Sequence, residues 1–512
     1  MVTARTTLAV TVLTLVCFTG LGLWYVRRRG GIRDAEEFVS ARNSAGTGAT
    51  TATLVASVMG VWILLAPVEA GAAFGGVSAV LGYAVGEAIP MLAYARLGPR
   101  IRELIPEGHS LTEYALARYG KGMYAFVLLV SVFYMFIFLA AELTGIASAF
   151  ELVAGVPRWQ TGVLVGGFVL LYTSYGGLPA SIFTDAVQTV LVLPLLVLSA
   201  VGAVVVLGGP TATYEAVVAT DPTLVDPTFF TGLRFGFWVA IAILGAELIN
   251  QTWWQRIYAA RDAETLKKGF RRAAVTNFCV VLVAGLFGVL ARGVADIVVS
   301  GPEYNASVAF FVLLQEAFPE PLVIGVVLLA LLLVMSTADT LFNALASVVT
   351  ADLPRVLSDP DDRTLTWGAR VLTVVVAVAA ILVSLRAQSV LRLFLLADLF
   401  GAAVMVPLLY GLYSRRATGT GMLVASLAGL AVGLAFFPSP VVRSVTVALP
   451  VVGSRLPPAD FLWAFVGAAG VSTLVAVLAT RVAGTSYDLD RLAVVVRRFD
   501  TSAVDAPDEQ TD

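Results

Sequence analysis

The stretch Val334-Met335-Ser336-Thr337-Ala338-Asp339-Thr340 lies inside an apolar run from about Leu322 to Leu353. A run of roughly 20 apolar residues crosses a bilayer unaided, so hydroxyls and a carboxylate within it need partners inside the protein rather than in lipid. Ser336 and Thr337 are adjacent, compact, neutral oxygen donors. A hard monovalent cation prefers oxygen ligands, and two hydroxyls with a few backbone carbonyls hold it loosely enough to release it again. That combination suits a transport cycle.

The composition agrees with a chain built for the bilayer. Of its 512 residues 58% are hydrophobic and 13% charged, and the mean hydropathy is +0.88. That is too little charge to cover a soluble globule of this size. The net charge of -2 comes with no basic block suited to nucleic acid. No Gly-x-x-x-x-Gly-Lys loop, His-Glu-x-x-His or cysteine cluster occurs, which argues against an enzyme or an ATP-driven pump. Nothing calls for an obligatory protein partner; the expected partners are a small solute and the lipid. Cys17 and Cys279 both sit in apolar runs and are expected in the core.

Outward from the central stretch, thirteen apolar runs are expected to span. They fall near 7–26, 48–75, 76–97, 122–150, 161–178, 183–207, 233–255, 273–298, 322–353, 366–385, 390–413, 418–437 and 459–480. With the N-terminus outside and the C-terminus cytoplasmic, the cytoplasmic loops collect most of the 33 basic residues, as positive-inside sorting requires. The first run, followed by Arg27-Arg28-Arg29, is expected to be retained as a helix. Trp24, Tyr25, Trp159, Trp253, Trp254, Tyr410 and Tyr413 fall near span ends, where aromatic rings anchor. His109 is expected to be a loop residue, and the tail from Tyr487 to Asp512 to be loose.

Three separated stretches carry a resemblance. Leu171-Tyr172-Thr173-Ser174-Tyr175-Gly176-Gly177-Leu178-Pro179-Ala180 followed by Thr184-Asp185-Ala186-Val187-Gln188, then Asn250-Gln251-Thr252-Trp253-Trp254-Gln255-Arg256, and Met335 to Thr340 resemble, in order, the signatures of the sodium:solute symporter family. Its members include proline, sugar, pantothenate and urea carriers. The resemblance implies an all-α membrane protein with a five-plus-five inverted repeat of the LeuT type, one helix before it and two after. The division it implies is 1–47 for the extra helix and a cytoplasmic loop, 48–207 for the first repeat, 208–232 for an extracellular loop, 233–413 for the second repeat, 414–483 for two further helices and 484–512 for a cytoplasmic tail. Such repeats place ion and solute at the bilayer midplane, where interrupted helices free backbone groups. Ala56 to Pro67, with Gly60 inside it, is expected to be the interrupted helix.

By the same resemblance Na+ is the coupling ion, held by the carbonyls of Ala56, Met59 and Leu333 and the hydroxyls of Ser336 and Thr337. Leu333 stands where the family has a small residue. The alternative for the two hydroxyls is a bond back to the preceding helical turn. Asp185 and Asp339 are candidates for the ion's path, with helix capping or pairing within the bundle as the alternatives. Trp62, Ile63, Asn250 and Trp253 are candidates for the solute site, and Glu142, Glu247 and Asp398 are acids in spans whose role stays open. Val58 occupies a position that is acidic in the proline carriers. The expected function is a sodium-coupled symporter importing a small polar solute by alternating access in the cell membrane. A proton-coupled or urea-type carrier, or a transporter-like sensor or channel, is the alternative.

Overall fold

The computed structural model describes residues 3–28, 30, 40–356, 362–387, 389–439, 457–484 and 486–496. The loop at 31–39, the end of the tail at 497–512, and the side chains of Tyr172, Ser174 and Tyr175 lie outside the described residues.

Helices account for the whole architecture: α1 (Ala4–Arg28), α2 (Thr47–Val58), α3 (Ala66–Ala73), α4 (Gly76–Leu104), α5 (Leu111–Tyr119), α6 (Lys121–Ala154), α7 (Arg158–Val206), α8 (Pro210–Thr220), α9 (Phe230–Leu248), α10 (Gln251–Ala259), α11 (Ala263–Val294), α12 (Ala309–Ala317), α13 (Glu320–Val356), α14 (Asp362–Ser384), α15 (Val390–Tyr410), α16 (Gly419–Phe436), α17 (Phe461–Val482) and α18 (Arg491–Val495). Among the described residues there is no strand, only an isolated bridge between Ala45 and Ala260. Among the described residues ten helices are long and apolar enough to span a membrane, and α2 with the segment Val61–Ala73 makes an eleventh if the bent pair is one span.

Two helices are interrupted. The first breaks at Met59–Gly60, where the halves meet at 55°. Pro67 does not make this break: it lies in the first turn of α3, where its missing N–H would have had no helical partner anyway. The second break separates α9 from α10 at Ile249–Asn250, inside the run 233–255 that reads as one span. Here the Asn250 side chain caps α10 by accepting from Thr252 N at 3.0 Å, and Tyr94 Oη donates to the freed carbonyl of Leu248 at 3.0 Å. The expected runs 161–178 and 183–207 meet at Gly177, whose φ of 55° and ψ of -162° are not helical, so two helical segments abut at a kink there and the second, Gly177–Val206, is by itself long and apolar enough to span.

Close helix approach sets the centre of the bundle. A Cβ on Gly245 of α9 would meet the backbone of Ala402, and one on Gly401 of α15 would meet that of Ala246. The α9 and α15 backbones therefore touch, as small residues allow between membrane helices. Glu247 and Asp398 stand two and three residues from that crossing.

Several expectations change. Cys17 and Cys279 are exposed rather than buried; lipid is as apolar as the core, so nothing drives a thiol inward. Trp253 and Trp254 are buried and anchor no interface, because α10 runs inside the bundle. His109 does lie in the loop between α4 and α5, as expected, but it is buried there, its Nδ1 3.2 Å from Glu113 Oε2. The tail is not loose from Tyr487: Tyr487 N donates to Arg415 O at 2.7 Å, Arg118 lies 4.4 Å from the Tyr487 ring centroid, and Leu489, Leu492 and Val496 are buried. Their spacing of three and four residues is one helical face, short enough to escape notice in a polar segment.

Candidate functional site: an ion layer and a solute cavity on one broken helix

The end of α2 leaves its last carbonyls without helical N–H partners. Gly60 N turns to Val58 O at 2.9 Å, which releases Ala56 O. Ser336 Oγ on α13 lies 3.2 Å from that carbonyl and donates to Asp185 Oδ1 at 2.6 Å. The Thr337 hydroxyl is buried and has no hydrogen-bond partner among the described residues. Among the described residues neither hydroxyl makes a bond back to its own preceding turn. Met59, as the C-cap of α2, stands in the same last turn. Leu333 lies one helical turn before Thr337 and is buried.

Asp185, on α7, is the hub of a buried network. Its Oδ2 accepts from Thr53 Oγ1 at 2.7 Å and lies 3.5 Å from Arg256 Nη2. The same Nη2 donates to Ser57 Oγ at 2.9 Å and to Thr340 Oγ1 at 2.8 Å. Asp339 accepts from Ser181 Oγ at 2.8 Å and from Thr184 Oγ1 at 3.3 Å. Arg256 reads from the sequence as the first charge of a loop; α10 instead carries it into the bundle, where it is fully buried.

The solute candidates separate. Trp62, Asn250 and Trp253 line one cavity together with Glu247 and Asp398, whereas Ile63 is buried but does not line it. Glu87, Tyr83, Tyr134, Phe138 and Phe394 complete most of the wall. Of these, Glu87 is the one the sequence signals, as a lone acid in an apolar run. Trp62 is fixed by its Nε1 donating to Val58 O at 2.8 Å. Glu247 accepts from Tyr134 Oη at 3.0 Å, Asn250 Nδ2 at 3.3 Å and Trp253 Nε1 at 2.5 Å. The free space amounts to about 20 Å3, room for about one water, so the walls are closed on each other.

Glu142 lies outside this wall and caps the second half of the broken helix. Its Oε2 accepts from Val61 N at 2.8 Å and its Oε1 from Trp62 N at 3.4 Å, where an anion also suits the helix dipole. A Cβ at position 60 would overlap the Glu142 carboxylate, so a larger residue there would have to displace this cap. Ser57 joins the two layers: it lines the cavity and touches Arg256.

The profile of the sodium:solute symporter family matches residues 38–429. The chain belongs to that family. The chain is 27% identical to the spermidine transporter DUR31 of Candida albicans, over 74% of this chain and 70% of that protein. It is 26% identical to the osmoregulated proline transporter OpuE of Bacillus subtilis, over 83% and 87%. The solved structure of a Na+-coupled sialic acid symporter, substrate-bound and outward-open, matches with a TM-score of 0.75 at 16% identity, covering 94% of this chain and 98% of the other. At that identity the likeness speaks for the fold, which is that of LeuT-type transporters. This sodium:solute symporter is thus a multi-pass membrane transporter of a small-molecule solute.

Proposed function

We propose that this chain imports a small polar solute with sodium by alternating access between two inverted repeats, about 48–207 and 233–413, within thirteen spanning helices. Sodium sits on the carbonyls of Ala56, Met59 and Leu333 and the hydroxyls of Ser336 and Thr337, and Asp185 and Asp339 flank its path. The N-terminus is outside and the C-terminus in the cytoplasm of a cell whose plasma membrane holds the protein.

The observation that carries this reading is the Met59–Gly60 break. On its α2 side Ala56 O lies 3.2 Å from Ser336 Oγ, with Met59 in the same last turn, and within a few residues Ser57, Val58 and Trp62 form the cavity wall. An ion ordering this segment lowers the cost of ordering it for the solute, and linkage makes the effect equal in both directions. The orphaned Thr337 hydroxyl supports an oxygen ligand there. The relatives do not choose the solute, because spermidine is a polycation, proline a zwitterion and sialic acid an anion.

The test is uptake into proteoliposomes from a panel of amines, amino acids, monocarboxylates, sugars and urea, with and without an inward sodium gradient. Sodium-stimulated uptake of one solute is expected. Stimulation by a proton gradient in its place would move coupling to Asp185, and flux indifferent to both would make the protein a channel or uniporter.

A further inference from the structure

Glu87 on α4, Glu247 on α9 and Asp398 on α15 all line the solute cavity, and all three are buried. They lie near enough to repel one another. The Glu247 carboxylate is oriented by three donors, Tyr134, Asn250 and Trp253, none of which carries a charge. Glu87 and Asp398 accept no hydrogen bond and meet no basic side chain among the described residues. No Lys, Arg or His lines the cavity.

An unpaired carboxylate out of water is costly, and proteins ordinarily neutralise it with a cation or with donors. This chain does so in the adjoining layer, where Asp185 has Arg256 and the cavity residue Ser57 touches that arginine. Leaving two acids unpaired around a cavity therefore points to a cation that arrives from outside.

The remaining wall says what kind. Trp62 stacks on Tyr83 with centroids 6.2 Å apart and meets Phe394 edge-on at 5.8 Å. Phe394 packs on Phe138 at 4.9 Å, and Phe138 on Tyr134 at 5.8 Å. This is a continuous aromatic wall, and ring faces attract ammonium groups and cover methylene chains. A sodium ion asks for a shell of oxygens converging on one point, and among the described residues no group of three acids is arranged to hold a metal ion. A sugar asks for free amides and hydroxyls, yet Asn250 already spends its amide on Glu247 and its carbonyl oxygen on Thr252. An anionic or zwitterionic solute brings a carboxylate into a cavity that already holds three.

We propose that the solute of this symporter is an alkylamine carrying two or more ammonium groups, held by Glu87, Glu247 and Asp398 within the aromatic wall. The proposal rests on the symport reading of the cavity and names its solute class.

The test is direct binding to the purified full chain in detergent or nanodiscs, with uptake read separately. The probes are butylamine, 1,4-diaminobutane, 1,6-diaminohexane and uncharged 1,4-butanediol, followed by tryptophan fluorescence and by radiolabelled 1,4-diaminobutane. Affinity is expected to rise about tenfold or more from monoamine to diamine, with no binding of the diol. Glu87→Gln and Asp398→Asn, which keep side-chain shape, are each expected to weaken diamine binding about tenfold or more, while butylamine loses less. Diamine binding without sodium-dependent uptake would uphold the solute class and overturn the coupling. Sodium-dependent uptake of a neutral or anionic solute, with no diamine binding or competition, would overturn the solute class and leave symport standing. A lower sodium Hill coefficient in Glu87→Gln, with no diamine binding to wild type, would assign the acids to a coupling ion and also overturn the proposal.

Discussion

Two groups of acids lie buried in this bundle, and they are treated in opposite ways. Asp185 is surrounded by donors, with Thr53 and Ser336 bonded to its two oxygens and Arg256 beside it. Glu87 and Asp398 line a cavity and, among the described residues, accept no hydrogen bond and meet no counter-charge. The first group is a finished network, whose energy is already balanced within the protein. The second is balanced only by something that enters. A membrane acid is a functional hint in either case, but the partner it lacks is more informative than the acid itself.

The comparison breaks first at Arg256. Arg256→Met removes the counter-charge and leaves Asp185 buried alone, which is expected to cost about 3–5 kcal/mol and to show as a large fall in melting temperature or in yield of folded protein. Adding Asp185→Asn is expected to restore much of that loss. If the single variant melts like wild type, the pair is not the balanced unit described here.

The cavity acids are expected to respond with the opposite sign. Without solute, Glu87→Gln or Asp398→Asn removes an uncompensated carboxylate and is expected to raise stability by about 1 kcal/mol, as functional sites often allow. Thermal unfolding of the solute-free protein checks this. A loss of several degrees would show that these acids are internally satisfied after all.

The smallest effect on stability is expected in the ion layer, where it should part from the effect on sodium. The Thr337 hydroxyl makes no bond, so Thr337→Ala leaves folding nearly unchanged while sodium affinity falls about tenfold, the worth of one good oxygen contact. Ser336→Ala also loses the bond to Asp185 and should lose about 1 kcal/mol of stability as well. Sodium titrations of uptake beside melting curves separate the two. Unchanged sodium dependence in both variants would remove them from the site.

Much of this arrangement was legible in the chain and some was not. Ser336, Thr337 and Asp185 stand out because hydroxyls and acids are conspicuous in apolar runs, and their order along the chain carries the family resemblance. The first break was expected near Gly60 and Pro67, and only the glycine lies at it. The second went unread: Asn250-Gln251-Thr252 is a helix-cap pattern, but apolar continuity from 233 onward outweighs it in any span search. Missing that break also placed Arg256 in a loop, since counting basic residues assumes each run continues straight to the membrane surface. Glu87 passed as one acid in a long apolar stretch.

What the amino-acid order determined by itself is the solvent and the scaffold: enough apolar residues in runs of span length to require a bilayer, and motifs whose spacing places hydroxyls and an acid on particular helices. Pairing was decided only by the tertiary structure. Thr53 and Asp185 are 132 residues apart, and Arg256 reaches Asp185 across 71. Whether a buried carboxylate finds a donor depends on which helix faces it. Close approach at Gly245 and Gly401 settles that for Glu247 and Asp398, because backbones that touch leave no room for a different set of neighbours.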